Sequence, residues 1–177
     1  RYGDHVMEEG KAFFELASEQ RLEGMVAKRA RSVYSGARTR DWIKIKCQRR
    51  QEFVIGGFTS RANAPRQIGS LLLGVYDDKG RLHYAGSVGT GWDSTLAGAL
   101  MQQMEKLETE AMPFDAASPP KKGRWSKRAA GSERWVKPTS VCEVTFTEWT
   151  PDGHVRHPSF KGMRTDKPAK SVRREGA

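Results

Sequence analysis

Three apolar stretches, Phe53–Thr59, Ser70–Tyr76 and His83–Val88, constrain the fold more than any other feature. Each has strand length and is bounded by glycine, proline or the sequence Asp77-Asp78-Lys79-Gly80, a good hairpin signal. Val141–Trp149 returns to period-two alternation, with Val141, Glu143, Thr145, Thr147 and Trp149 opposing Cys142, Val144, Phe146 and Glu148. Asp152-Gly153 then marks another hairpin turn. One long helix fits among these strands, over residues 94–110, with Asp93-Ser94-Thr95 at its start and Leu96, Leu100, Met104 and Leu107 as an apolar stripe.

Short twisted strands with one inserted helix predict a mainly β domain, a five-stranded barrel of the OB type. Periodicity alone also permits an SH3-like barrel or a small sandwich. Residues 1–47 do not belong to this pattern. They predict an amphipathic helix over residues 8–20, carrying Phe13, Phe14, Leu16 and Ala17, and then strands at Arg21–Ala30 and Trp42–Cys47. The domain boundary is therefore expected just after Cys47, with the barrel spanning 48–167. Residues 168–177 read as a basic tail that does not pack.

Composition restricts the partners. The chain of 177 residues is 37% hydrophobic and 29% charged, with a net charge of +10, which points to a polyanion. Nucleic acid fits better than membrane, because no apolar run approaches the ~20 residues of a spanning helix. Cys47 and Cys142 form no metal or redox motif, and His5, His83, His154 and His157 lack zinc-finger spacing. A reduced, cytoplasmic protein is the expectation. Both cysteines read as buried fillers, and Trp42, Trp149 and Phe160 as core aromatics. The chain opens with Arg1 and no signal peptide follows, so it is expected to be a piece of a longer protein.

Three stretches carry candidate chemistry. In Glu23-Gly24-Met25-Val26-Ala27-Lys28 a carboxylate sits in an apolar strand, where burial demands a cation or hydrogen-bond partner; surface pairing with Arg29 or Arg31 is the plainer alternative. In Trp42-Ile43-Lys44-Ile45-Lys46-Cys47 the two lysines share one strand face, spaced about 6.6–6.8 Å along the chain. That face is either solvated or aimed at phosphate oxygens. In residues 157–167, HPSFKGMRTDK, Lys161, Arg164 and Lys167 surround Asp166. A basic loop, with Lys121, Lys122, Arg124, Lys127 and Arg128 around Trp125, is either a solubilising segment or a phosphate-contacting surface.

The order EGMVAK, WIKIK, then a barrel ending in RTDK resembles motifs IV, V and VI of the covalent nucleotidyltransferases, which include ATP-dependent DNA ligases, RNA ligases and capping enzymes. Further stretches are similar to the ligase module of the bacterial DNA ligase D type: RYGDH, LEGMVAKRARSVYSGARTRDWIKIKC, SVGTGW and RWVKPTSVCEVTFTEWTPDGHVRHPSFKGMRTDKP. The resemblance runs over nearly the whole chain and is weakest in residues 112–130 and the last ten. It implies that residues 1–47 are the C-terminal remnant of an α+β nucleotidyltransferase (adenylation) domain, followed by an OB-fold domain.

The same resemblance implies roles. Glu23 is expected to help bind a catalytic Mg²⁺ (or Mn²⁺). Lys44 and Lys46 are expected at the nucleotide α-phosphate, with Arg38 beside them. Arg164, Asp166 and Lys167 are expected to close over ATP and orient the leaving pyrophosphate. The nucleophilic lysine of the family lies in a Lys-x-Asp-Gly motif, and no such tetrapeptide occurs here. The implied reaction seals nicks or ends in duplex DNA in non-homologous end joining, with the end-binding protein Ku as partner. Linked polymerase and phosphoesterase domains and a bacterial cytoplasmic, nucleoid-associated setting belong to the same expectation. A non-catalytic OB-fold DNA-binding module, or part of an RNA ligase or capping-type enzyme, are the alternatives.

Overall fold

A computed structural model describes residues 5–20, 22–37, 39–120 and 132–175. The chain divides into two compact units, Arg1–Arg49 and Arg50–Ala177.

The first unit contains a helix α1 (Gly10–Glu19) and two strands, β1 (Gly24–Lys28) and β2 (Trp42–Lys46). The strands pair antiparallel, with Gly24 opposite Lys46, Val26 opposite Lys44 and Lys28 opposite Trp42. Its core is small. Ala17 is the one buried residue of α1, while Phe13, Leu16, Val26, Val33, Tyr34 and Ile43 are exposed. Cys47 is buried and accepts a hydrogen bond from the Ser18 hydroxyl at 3.2 Å. Trp42, expected in the core, is instead 39% exposed. Its ring packs against Tyr34 and lies 4.1 Å beneath the Lys28 ammonium, a cation–π contact.

The second unit is mainly β. Its strands are β3 (Arg49–Arg61), β4 (Ala64–Tyr76), β5 (Leu82–Val88), β6 (Glu108–Thr109), β7 (Arg134–Val136), β8 (Val141–Phe146), β9 (Glu148–Trp149), β10 (Val155–Arg156) and β11 (Ser159–Arg164). The principal sheet runs β11-β8-β3-β4-β5, with β7 joining β3 to β6. The Phe160 N–H donates to the carbonyl of Thr90 at 2.9 Å, which draws β11 to the segment after β5 and brings the ends of the strand path together. Gly91, at φ +102°, permits this approach, because a Cβ there would collide with the Phe160 backbone. The SVGTGW and HPSFKG segments are thus packed on one another, with Trp92 edge-on to Phe160. The arrangement is an OB-like barrel.

Phe53, Val54, Ile55 and Phe58 on β3 and Leu71, Leu72 and Leu73 on β4 are fully buried. Consecutive buried residues mean that both faces of these strands are covered, so they read as continuous apolar runs. The helix α2 (Ser94–Glu105) packs on β4 and begins where the Asp93 carboxylate accepts the Leu96 N–H at 2.8 Å. Its buried stripe is Ala97, Leu100, Met101 and Met104, whereas Leu96 is exposed. The helix stops at Glu105, short of the expected 110, because Glu108–Thr109 leave to pair with β7.

Two further expectations are corrected. Val141–Trp149 is not one half-buried strand: nearly all of β8 is buried, and the chain breaks at Thr147 before β9. The tail beyond Pro168 does pack. A short 3₁₀ turn (Ala169–Ser171) leads to Val172, which is 1% exposed and whose carbonyl accepts the Tyr76 N–H. The Gln51 side chain then holds the carbonyl of Arg173 and the N–H of Glu175, and Arg174 lies over Trp149. Trp149 is half-buried, and Phe160 and Cys142 are buried as expected. Among the described residues no helix is long and apolar enough to cross a membrane.

Candidate functional site

In the first unit, β1 and β2 are short, and a two-stranded ladder leaves its side chains accessible. Directly opposed residues share a face, so Gly24, Val26 and Lys28 lie with Lys46, Lys44 and Trp42. Both lysines are exposed. Glu23 does not lie inside the strand; it immediately precedes β1, with its carbonyl accepting the Cys47 N–H at 3.0 Å. Its side chain is 80% exposed and stands 3.8 Å from the Lys46 ammonium. The partner is therefore Lys46 rather than Arg29 or Arg31, and Arg29 pairs with Asp41. An exposed pair at this separation is weak. Lys44 has no ion-pair partner among the described residues.

Gly24 makes this geometry possible. Its φ is +153°, and a Cβ on it would strike the Ile45 carbonyl oxygen of the neighbouring strand. Any larger residue would push β1 from β2 and separate Glu23 from Lys46. The Glu-Gly dipeptide thus places a carboxylate at the strand start with nothing projecting beside Lys46. Arg38 lies outside the described residues.

In the second unit, Arg164 ends β11 and is held by carboxylates on three sides. Its Nε and Nη2 donate to the two oxygens of Asp166 at 2.8 and 2.7 Å, a bidentate pair. Its Nη1 donates to Glu143 on β8 at 3.1 Å and to Glu52 on β3 at 3.2 Å. The second oxygen of Glu52 accepts from the Lys167 ammonium at 3.0 Å. Arg50 completes the cluster by pairing with Glu143. Glu52 and Glu143 are largely buried, with 16% and 12% side-chain exposure, while the cations and Asp166 are more open.

This arrangement shifts proton affinities. The Arg164 guanidinium, by hydrogen bonding and by charge, lowers the Asp166 carboxyl to about 2. The Lys167 hydrogen bond lowers that of Glu52, against the opposing effect of burial. Arg164 is raised further, mainly by Asp166. Each of these three shifts favours the charged form. Lys161 sits at a register shift of the β11–β8 ladder, exposed and outside this cluster.

Arg164, Asp166 and Lys167 are therefore brought together, as are Glu23 and Lys46. Arg50, Glu52 and Glu143 escape a reading of the sequence. The first two look like part of a charge-dense lead into β3, and Glu143 like one polar position in an alternating strand. The basic residues Lys121, Lys122, Arg124, Lys127 and Arg128 lie outside the described residues. Among the described residues no group of three or more His, Cys, Asp and Glu is arranged to hold a metal. Glu23 can offer one exposed carboxylate oxygen, which fits an ion such as Mg²⁺ that keeps most of its waters.

Comparison with known proteins shows the family. The model of the family described as "ATP dependent DNA ligase C terminal region" matches residues 64–167. The chain is 40% identical over 174 residues to the multifunctional non-homologous end joining protein LigD of Pseudomonas aeruginosa, covering 97% of this chain and 20% of that protein. It is 37% identical over 169 residues to the multifunctional non-homologous end joining DNA repair protein LigD of Mycobacterium tuberculosis, covering 94% of this chain and 21% of that one. The crystal structure of the ligase domain of M. tuberculosis LigD superimposes with a TM-score of 0.64 at 37% identity, over 92% of this chain and 50% of that one. A mycobacterial DNA ligase D complexed with ATP and MES gives 0.58 at 38% identity, again over 92% and 50%. The chain thus spans about a fifth of the length of these curated relatives.

Proposed function

This chain belongs to the ATP-dependent DNA ligases, within their C-terminal region, and from that premise we infer that it is the C-terminal part of a LigD-type ligase module. The module seals nicks or ends in duplex DNA during non-homologous end joining. Residues 1–47 complete the adenylation domain, and residues 48–167 form the barrel that closes on ATP and then grips DNA. The observation that carries this reading is the pairing of β1 with β2. It leaves Lys44 and Lys46 exposed on one face, beside an exposed Glu23, and Lys44 without a carboxylate partner among the described residues.

Each step of the reaction is transfer at phosphorus, in which the protein mainly positions groups and neutralises charge. A lysine upstream of this chain attacks the α-phosphate of ATP and expels pyrophosphate. AMP then passes to the 5′-phosphate of the nick, and the 3′-hydroxyl displaces it. Lys44 and Lys46 hold non-bridging α-phosphate oxygens and stabilise the charge that develops on them. The proximity of Glu23 to Lys46 is supportive, since it puts an exposed carboxylate beside the two lysines. Glu23 would also hold a hydrated Mg²⁺ or Mn²⁺, which when bound neutralises phosphate charge. Arg38 assists at the same phosphate.

Arg164, Asp166 and Lys167 orient the pyrophosphate during self-adenylation. The basic loop with Lys121, Lys122, Arg124, Lys127 and Arg128 adds to the DNA grip, consistent with a net charge of +10. Ku is the expected end-binding partner. Polymerase and phosphoesterase domains are expected elsewhere in the protein, which acts on the bacterial chromosome in the cytoplasm.

The reading is tested with α-labelled ATP and Mg²⁺. The isolated chain is expected to form no protein-linked AMP, whereas the ligase module that includes the upstream residues forms it. Label on the isolated chain would show that its own residues include the nucleophile and would overturn the reading.

A further inference from the structure

The Arg164 cluster contains a carboxylate that does more than neutralise. Glu52 uses one oxygen for Arg164, at 3.2 Å, and the other for Lys167, at 3.0 Å. It is the only side chain among the described residues that hydrogen-bonds both. Its own position is fixed, since β3 is a central strand of the sheet and the Glu52 side chain is only 16% exposed. Lysine loses much rotamer freedom on immobilisation, so a lysine already bridged to a rigid strand meets a ligand at lower entropic cost.

Donor counting sharpens the point. A guanidinium has five N–H groups, and Arg164 commits Nε, one hydrogen of Nη2 and both of Nη1 to Asp166, Glu52 and Glu143. A single Nη2 donor is left. Lys167 gives one of its donors to Glu52 and keeps the others. The cluster is also balanced in charge, with Arg50, Arg164 and Lys167 against Glu52, Glu143 and Asp166. A polyphosphate approaching it gains little from net field. What the cluster offers is a small set of donors in fixed directions.

We propose that Glu52 is a positioning residue for self-adenylation: by bridging Arg164 and Lys167 it aims their remaining donors at the pyrophosphate end of ATP. The assignment rests on the ligase reading above. Glu52 touches neither substrate nor reacting atoms and acts through the two cations. Replacement by glutamine breaks the bridge, because an amide has one acceptor oxygen and its NH₂ faces the other cation.

The test uses the ligase module containing this chain, with Glu52→Gln, Lys167→Met and the double variant. Two steps are measured separately, self-adenylation at saturating ATP and closure of a nick already carrying AMP, together with the melting temperature. Glu52→Gln is expected to slow self-adenylation about 10- to 100-fold, while closure of the pre-adenylated nick stays at the parent rate. The double variant is expected to be little slower than Lys167→Met alone, since coupled residues are non-additive. Equal loss of both steps with a lowered melting temperature would make Glu52 merely structural and overturn the proposal. Unchanged self-adenylation in Glu52→Gln, with an active parent, would overturn it as well. A parent module that forms no adenylate would overturn the ligase reading itself, and this assignment with it.

Discussion

The Lys167 ammonium lies 3.0 Å from the Glu52 carboxylate, a residue 115 positions earlier in the chain. β3 and β11 flank β8 in the sheet, and this contact ties the loop after β11 to β3. A motif contiguous in sequence, Arg164 to Lys167, is thereby anchored to residues that no local pattern would associate with it.

The ion-paired cluster gives the fold an acid-sensitive component. Glu52 and Asp166 both have carboxyls lowered by their cation partners, Asp166 to about 2. A group lowered in the folded state contributes stability above its ordinary carboxylate range, and that stability is lost as pH falls toward the folded value. The melting temperature is therefore expected to hold near neutrality and to decline between about pH 4.5 and 2. A Glu52→Gln, Asp166→Asn variant should show a shallower decline over the same window. An identical slope would show that the two carboxylates do not titrate as paired groups.

Packing of the C-terminal segment is open to a direct check. Val172 is 1% exposed and joins the core through contacts beside β4. Val172→Ala removes buried methyl groups and is expected to cost about 1–3 kcal/mol in urea unfolding. No measurable change would mean that this segment does not pack in solution.

Gly24 is expected to tolerate no side chain. Gly24→Ala forces a Cβ against the Ile45 carbonyl and strains the β1–β2 pair. Amide exchange at Met25, Ile45 and Cys47 should speed up in the variant, while the exchange of β3 and β4 amides stays as before. Unaltered protection in β2 would contradict the contact.

The basic loop is tested through salt. Reversing the charge of Lys121, Lys122 and Arg124 in the ligase module is expected to weaken nicked-duplex binding. It should also flatten the log–log salt dependence, by about 0.9 for each lost phosphate contact. A slope equal to the parent's would make the loop a solubilising segment.

How much of this could be read from the chain varies with the reach of the interactions. The buried strands of the barrel, the Asp93 helix cap and the Asp77-Asp78-Lys79-Gly80 hairpin were legible because each rests on local chemistry. The position of Lys44 and Lys46 on one exposed face followed from strand alternation alone. The helix stripe is legible at Leu100, Met104 and Leu107; only at its start does Ala97 replace Leu96, since both are apolar and contact with β4 selects between them. Trp42 reads as a core residue from its size and apolar neighbours, but a two-stranded ladder has too little cover to bury it. The tail reads as unpacked because it is basic; Gln51 and Tyr76, distant in sequence, hold it by its backbone instead. Glu52 and Glu143 were invisible for the same reason of distance.

Lys44 and Lys46, we propose, face a nucleotide phosphate in a site whose nucleophile lies outside this chain. The most direct measurement is single-turnover self-adenylation by the ligase module carrying Lys44→Ala or Lys46→Ala, with labelled ATP and Mg²⁺ at saturation. Each is expected to slow label transfer by about 100-fold or more, as loss of a donor to developing phosphate charge does, with the melting temperature unchanged because both side chains are exposed. Adenylation at the parent rate in both variants would contradict the claim and return the two lysines to a solvated strand face.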